Sequence, residues 1–396
     1  MRARQSGGRD MNKRAQEAGL RIEGGRVLRD GVFVEGDLDI AADGRIGGDR
    51  SQRARRIDAE GLLVLPGIVD IHGDAFERQM MPRPRVHFPL DVALLESDRQ
   101  AVANGITTVF HGVTWSWEPG LRNADNARGI LDMLERLRPE LAADTRFHLR
   151  HETYNLEAEE EITAWLRTRR IGALAFNDHI DDMDRPHVVA RMLECSGVSR
   201  EELDRVIERV RRSGNEVPAS IVRLAETALT HGVPLLSHDD TSPEQRRWFR
   251  SVGCRVAEFP TNAETAREAA EAGDYIVLGA PNVLRGGSHK GWTSATEMVA
   301  RGLCSILASD YYYPAPLLAA CRLAASGTRP LAQAWALISE APARALRMHD
   351  RGRIATGARG DLVLVDAANY DRPHVTGTIV GGRIVYLSDA DRVLSA

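Results

Sequence analysis

Six side chains able to bind a metal fall at the ends of apolar runs. The first two close the stretch Leu65-Pro66-Gly67-Ile68-Val69-Asp70-Ile71-His72-Gly73-Asp74. In a strand, side chains two residues apart point to the same side. His72 and Asp74 therefore face one space and could ligate one ion, with Val69 and Ile71 packing on the opposite, outward face. Later runs end in Glu152, His179, His238 and Asp310. Each has a plain structural reading alone: a strand-end Asp caps the next helix, and a strand-end His forms a hydrogen bond. Together, six nitrogen and oxygen donors suffice for one or two divalent ions, with a carboxylate between them.

Parity sorts the same runs. With Phe147 and Leu149 outward, His148, Arg150 and Glu152 face the axis. With Leu174 and Phe176 outward, Ala173, Ala175, Asn177 and His179 point inward. Ala257 and Phe259 outward place Glu258 inward.

These side chains need a frame that brings them to one rim. Strand signals occur at Ile68–His72, Thr107–Gly112, Phe147–Glu152, Gly172–Asp178, Pro234–His238, Arg255–Pro260, Tyr275–Ala280 and Ser305–Asp310. Helical stretches lie between most of them, among them Asn126–Arg138, Ala158–Arg169, Arg200–Arg212, Ala219–His231 and Ala263–Glu271. Eight βα units over residues 66–351 have the rhythm of a (β/α)8 TIM barrel, whose chemistry sits at the C-terminal ends of the strands. A doubly wound sheet is the competing α/β fold, but no glycine-rich dinucleotide turn follows the first strand. Short strand signals at 20–65 and 352–396, punctuated by Asp30-Gly31 and Asp43-Gly44, predict a small antiparallel β-sandwich domain built from both chain ends. Residues 1–19 are basic without an apolar core, and read as a disordered tail rather than a secretory signal.

Composition narrows the class. The 396 residues are 43% hydrophobic and 27% charged, with a formal charge of −4. This speaks against a general nucleic-acid binder. No apolar run is long enough to span a membrane. Cys195, Cys254, Cys304 and Cys321 are too scattered for a zinc knot or disulfide framework. The expected setting is the cytoplasm, and a homodimer is the default assembly.

Two cation-rich stretches point to an anionic substrate. The first, Arg78 to Pro89, presents Arg83 and Arg85 between stiffening prolines. The second runs from Gly279 to Gly291 and offers Arg285, Ser288, His289 and Lys290 around Gly286-Gly287. Loops after late barrel strands often hold phosphate.

The order of the strand-end groups resembles the amidohydrolase superfamily, as do the terminal β domain and the Leu65-Pro-Gly entry to the first strand. Most members carry His-x-His where this chain has His72-x-Asp74. Pro82-Arg-Pro-Arg-Val-His-Phe-Pro, Asn104-Gly-Ile-Thr-Thr-Val, Ser237-His-Asp-Asp, Ala257-Glu-Phe-Pro-Thr, Gly279-Ala-Pro-Asn and Arg285-Gly-Gly-Ser-His resemble, more narrowly, the ribosyl triphosphate diphosphatases of phosphonate degradation. That subgroup also has His-x-Asp. The resemblance implies release of diphosphate from a ribosyl 5-triphosphate, with one or two divalent ions, zinc first and manganese or iron as alternatives. Two departures stand out: Ala75 replaces an Asn, and Ile180-Asp-Asp-Met-Asp replaces a run of the Ser/Thr-Pro-Gly-Gln type. Trp115 and Trp117 are candidates to shape an altered pocket.

The expected mechanism is hydrolysis by a water acidified on the metal. His72, Asp74, Glu152, His179, His238 and Asp310 form the ligand set. Asp310 and His238 are the catalytic candidates, with Asp310 taking the water's proton. Arg83, Arg85, Arg285, Ser288, His289 and Lys290 would bind the substrate. The alternative is hydrolysis of a carboxamide or cyclic amide carrying an anionic group.

Overall fold

The computed structural model describes residues 19–48, 54–286 and 294–394. The expected tail at 1–19 lies almost wholly outside the described residues.

Eight strands alternate with helices: β1 (Ile68–Gly73), β2 (Ile106–Trp115), β3 (Asp144–Glu152), β4 (Ala173–Asn177), β5 (Leu235–His238), β6 (Val256–Glu258), β7 (Tyr275–Gly279) and β8 (Ile306–Ala308). They pair in sequence order, every neighbour parallel. The end of β8 returns to β1. The Asp310 amide donates to the His72 carbonyl at 3.0 Å and the Asp74 amide to the Asp310 carbonyl at 2.8 Å. Asp70 adds a side-chain clasp, accepting from the Ser309 amide at 2.9 Å and the Ser309 hydroxyl at 2.5 Å. The fold is the expected (β/α)8 barrel.

Outward residues of β3 and β4 bury as the alternation requires. Phe147, Leu149, Leu174 and Phe176 pack on Ile130, Leu131, Ile162 and Leu166 of the surrounding helices. Each such side chain contributes about 1.5–3 kcal/mol over exposure. Inside the barrel, Phe110, Ala173, Ala175, Leu236 and Val256 form the apolar floor. Val69 and Ile71 join that floor instead of facing outward as expected. The β1–β2 register slips between Asp70 and Gly73. The slip lets Val69 and Ile71 point inward below while His72 also faces the interior above.

The chain ends make one curled eight-stranded sheet rather than separate layers. Leu20–Arg29 pairs antiparallel with Val32–Ile40 but parallel with Arg55–Asp58 and Leu63–Pro66. The sheet is therefore mixed where an antiparallel one is expected, because both later strands re-enter from the same end. Leu362–Asp366, His374–Val380 and Arg383–Leu387 extend it from the C-terminal side. At the junction the Trp335 indole, wholly buried, donates to the Pro66 carbonyl at 2.9 Å. A Cβ on Gly67 would collide with the Thr107 side chain, so the chain passes there only as glycine.

Between β4 and β5 the chain inserts the helices Pro186–Ser196, Arg200–Arg212 and Val217–Thr230. Ser199 and Glu202 form a reciprocal capping box at the second of these. Met183, Val189, Leu203 and Ile207 give this cap its own small core, against which Trp117 packs. Trp115 is core instead of pocket wall, 5.0 Å from the Trp165 ring.

Candidate metal centre

The histidines sit at strand ends and are fixed by carboxylates. His72 is buried, its Nδ1 2.8 Å from Oε1 of Glu258 at the end of β6. His238 Nδ1 lies 3.3 Å from the other oxygen of Glu258. One buried carboxylate thus holds both rings, which stack with centroids 5.3 Å apart. Phe259 meets both edge-on, at 4.8 and 5.2 Å. Alternation places Phe259 outward; its left-handed φ of 53° instead turns it onto the rings.

His148, on β3, donates from Nδ1 to the Ile71 carbonyl at 3.0 Å, which leaves Nε2 as the lone-pair nitrogen. Its Nε2 is buried without a hydrogen-bond partner, 3.8 Å from Glu258. Ligand atoms of His72, His148 and Glu258 lie within 4.8 Å of one another.

A second group opens to the cavity. Glu152 ends β3 and grips His179, 2.6 Å from Nδ1 and accepting from the His179 amide at 3.2 Å. His179 Nε2 is thereby aimed at Asp239, 3.6 Å away. His179, His238 and Asp239 also bring ligand atoms within 4.8 Å. Arg150 lies between the halves, 3.1 Å from His238 Nε2 and 3.7 Å from Asp74. The donors are all imidazole nitrogens and carboxylate oxygens, two compact groups form, and His148 Nε2 is an orphan. That set fits a divalent ion.

Electrostatics follow burial and crowding. Burial, followed by Asp74, pushes the Asp310 carboxyl up to about 7. Burial also lifts Glu258 to about 7. Burial lowers His72 to about 3, with Arg150 adding to the effect. His179 goes the other way: burial opposes its charge, but Glu152 and Asp239 carry it up to about 10. The rim therefore concentrates negative charge around His179, which is where a cation is stabilised.

A cavity of about 520 Å³ opens over this rim. His72, Asp74, His179, His238 and Asp310 line it, and Glu152 sits behind His179. The structure thus gathers all six expected ligands at one end of the barrel. The expected substrate arginines are scattered. Arg83 and Arg85 are exposed and do not line the cavity. Arg285 reaches it only through Tyr311, donating to the hydroxyl at 3.3 Å. Ser288, His289 and Lys290 lie outside the described residues. Among the described residues, the arginines lining the cavity are instead Arg122, Arg150 and Arg191. Arg122 donates to both Glu77 oxygens at 3.2 Å. Arg191 comes from the inserted cap, where Met183, Val188 and Met192 form an apolar wall beside it.

Asp239 has no spacing signal of its own in the run Ser237-His-Asp-Asp; its left-handed φ of 56° is what brings it to the rim. Arg122 and Arg191 have no local signal, since each is one arginine among many.

A model of the family described as "Amidohydrolase family" matches residues 96–386. The chain is 30% identical over 356 residues to the alpha-D-ribose 1-methylphosphonate 5-triphosphate diphosphatase of Escherichia coli, covering 86% of this chain and 93% of that protein. It is 25% identical to the adenine deaminase of Brucella suis, covering 95% of this chain but 58% of that longer protein. Among solved structures, molinate hydrolase superposes with a TM-score of 0.64 at 16% identity, over 93% of this chain and 95% of that one. This last likeness is one of fold. On the family match and the diphosphatase relative, the chain belongs to the amidohydrolase family and is a metal-dependent hydrolase of that superfamily.

Proposed function

We propose that this hydrolase releases diphosphate from a ribosyl 5-triphosphate, of the kind named for its Escherichia coli relative. The observation that carries the reading is the similarity to that diphosphatase along 86% of this chain and 93% of the relative. The geometry adds the strand-one His72 and Asp74 and three arginines on the cavity wall.

His72, Asp74, Glu152, His179, His238 and Asp310, with Asp239 beside them, would hold one or two divalent ions, zinc first and manganese or iron as alternatives. A bound ion supplies Lewis-acid polarisation of a phosphoryl oxygen and an acidified water. Asp310 orients the attacking water and takes its proton. Glu258 and Glu152 keep the imidazoles in one orientation throughout. Arg191 and Arg150 offset charge on the phosphoryl oxygens. The α–β phosphoanhydride bond breaks, one water oxygen is added, and diphosphate leaves with the 5-phosphate remaining on the sugar.

The test is diphosphate release from a panel of ribosyl and nucleoside triphosphates with Zn, Mn or Mg. Release that disappears in Asp310→Asn, with metal content unchanged, supports the reading. No release from protein shown to contain metal overturns it. The second reading is hydrolysis at carbon–nitrogen bonds, favoured by the adenine deaminase similarity and by Glu118 and Asp182 on the same cavity wall, where acids oppose a polyphosphate. Ammonia release from adenine or a carboxamide by the same metal-loaded protein would select it.

A further inference from the structure

A second cleft, of about 600 Å³, opens at the opposite end of the barrel. Residues 144–147 at the start of β3 and Gly172 before β4 form one side, and Arg359, Gly381 and Arg383 of the curled sheet form the other. Glu152 ends the strand that Asp144 begins, so this cleft and the metal centre occupy opposite rims.

Six arginines line it, Arg138, Arg146, Arg169, Arg170, Arg359 and Arg383, against one acid, Asp144. That acid is already shared. Asp144 accepts from Arg146 at 2.9 Å, Arg351 at 2.6 Å and Arg359 at 3.1 Å. Asp132 and Glu135 hold Arg170, and Asp361 holds Arg359 at 3.0 Å, from outside the cleft. The side chains of Arg138 and Arg169 form no hydrogen bond or ion pair with a described residue, and the Arg383 side chain feels Asp98 only through space. Arg169 also stands at φ 55°, just after the helix Glu159–Arg167, where glycine is the usual residue. The backbone there is strained while the side chain lines the cleft. The Thr145 hydroxyl, on the same wall, is buried with no partner.

Arg146, Arg170 and Arg359 are paired, but Arg138, Arg169 and Arg383 add three guanidinium groups with no acid of their own, and a multivalent anion removes the repulsion among them. Their planar forks match phosphate oxygens in pairs. We propose that this cleft is a second binding site for a small polyphosphate anion, separate from the metal centre. An anion seated there touches the barrel and the curled sheet at once, and so ties the two together. The inference does not depend on which reaction the metal centre performs.

The test is calorimetric titration of the metal-loaded, full-length protein with inorganic tripolyphosphate, compared with Arg169→Ala/Arg383→Ala. Both side chains are exposed, so the variant should keep its fold and its turnover. The expected result is one fewer equivalent bound, or at least a tenfold weaker phase, in the variant. Arg138→Ala should weaken the same phase, and Arg169→Lys/Arg383→Lys should restore part of it. Identical isotherms for wild type and the double alanine variant would overturn the proposal. So would a binding phase unchanged between 50 and 300 mM salt, since contacts with exposed arginines are screened.

Discussion

Arg246 is wholly buried, and its removal is the sharpest test of how the metal-centre loops are held. Its guanidinium donates to Asp240 at 3.0 Å, lies 3.4 Å from Asp274 and caps the Cys254 carbonyl. Asp240 is also wholly buried and accepts from the Ser237 hydroxyl at 2.7 Å. Through the Thr261 amide, which donates to the Asp240 carbonyl at 3.0 Å, this group pins the loop after β5 to the loop after β6. His238 is the last residue of β5 and Asp239 the first of the loop after it, and Phe259 opens the loop after β6. In Arg246→Met, Asp274 keeps Arg250 at 2.6 Å, so the loss falls on Asp240. Breaking a buried pair from one side costs about 3–5 kcal/mol, and one stranded acid puts this variant near the lower end, at about 3–4 kcal/mol. At about 2 °C per kcal/mol for a chain of this size, Tm falls by about 6–8 °C. Adding Asp240→Asn removes the stranded charge and should recover about 2 kcal/mol, a coupling that a double-mutant cycle reads directly. Turnover should drop in the single variant and return in part in the double. A Tm change under about 2 °C, or a double variant as unstable as the single, would refute the argument.

Other expectations follow from the same geometry. At the junction of sheet and barrel, Gly67→Ala forces a methyl group onto Thr107 and should cost about 1–3 kcal/mol, measured by denaturant unfolding. Burial opposes ionisation of Asp144, but Arg146 and Arg351 hold its carboxyl well below the ordinary range. Stability from that depression is complete above about pH 4, the unfolded value, and is lost as pH falls below it. Arg351→Met should lower stability at pH 7 by about 2 kcal/mol, less than for an isolated buried pair because Arg146 and Arg359 remain. It should also flatten the fall of Tm between pH 4 and 2, and an unchanged acid limb would contradict the assignment. For the cavity, Arg191→Ala should raise KM for an anionic triphosphate about tenfold, the loss of one charge-assisted hydrogen bond, with kcat nearly unchanged.

What could be read from the sequence was what depends on neighbours a few residues apart. All eight barrel strands lie where period-two runs and turn residues place them, and Ala263–Glu271 is a helix with the expected bounds. The pair His72 and Asp74 was legible because two-residue spacing fixes a shared side, and the outward faces of Phe147, Leu149, Leu174 and Phe176 for the same reason. The failures are places where the backbone leaves that regular geometry. The slipped register in β1 turned Val69 and Ile71 inward, and left-handed turns moved Phe259 and Asp239 onto the rim. Partnerships across the barrel had no local trace at all. Glu258 meets His72 from 186 residues away because closure of eight strands brings β6 opposite β1. Arg83 and Arg85 look suited to the substrate by composition, yet among the described residues the arginines on the cavity wall are Arg122, Arg150 and Arg191. Local propensity sets which side of a strand a residue occupies; only the closed barrel and its inserted cap decide which side chains converge on one point.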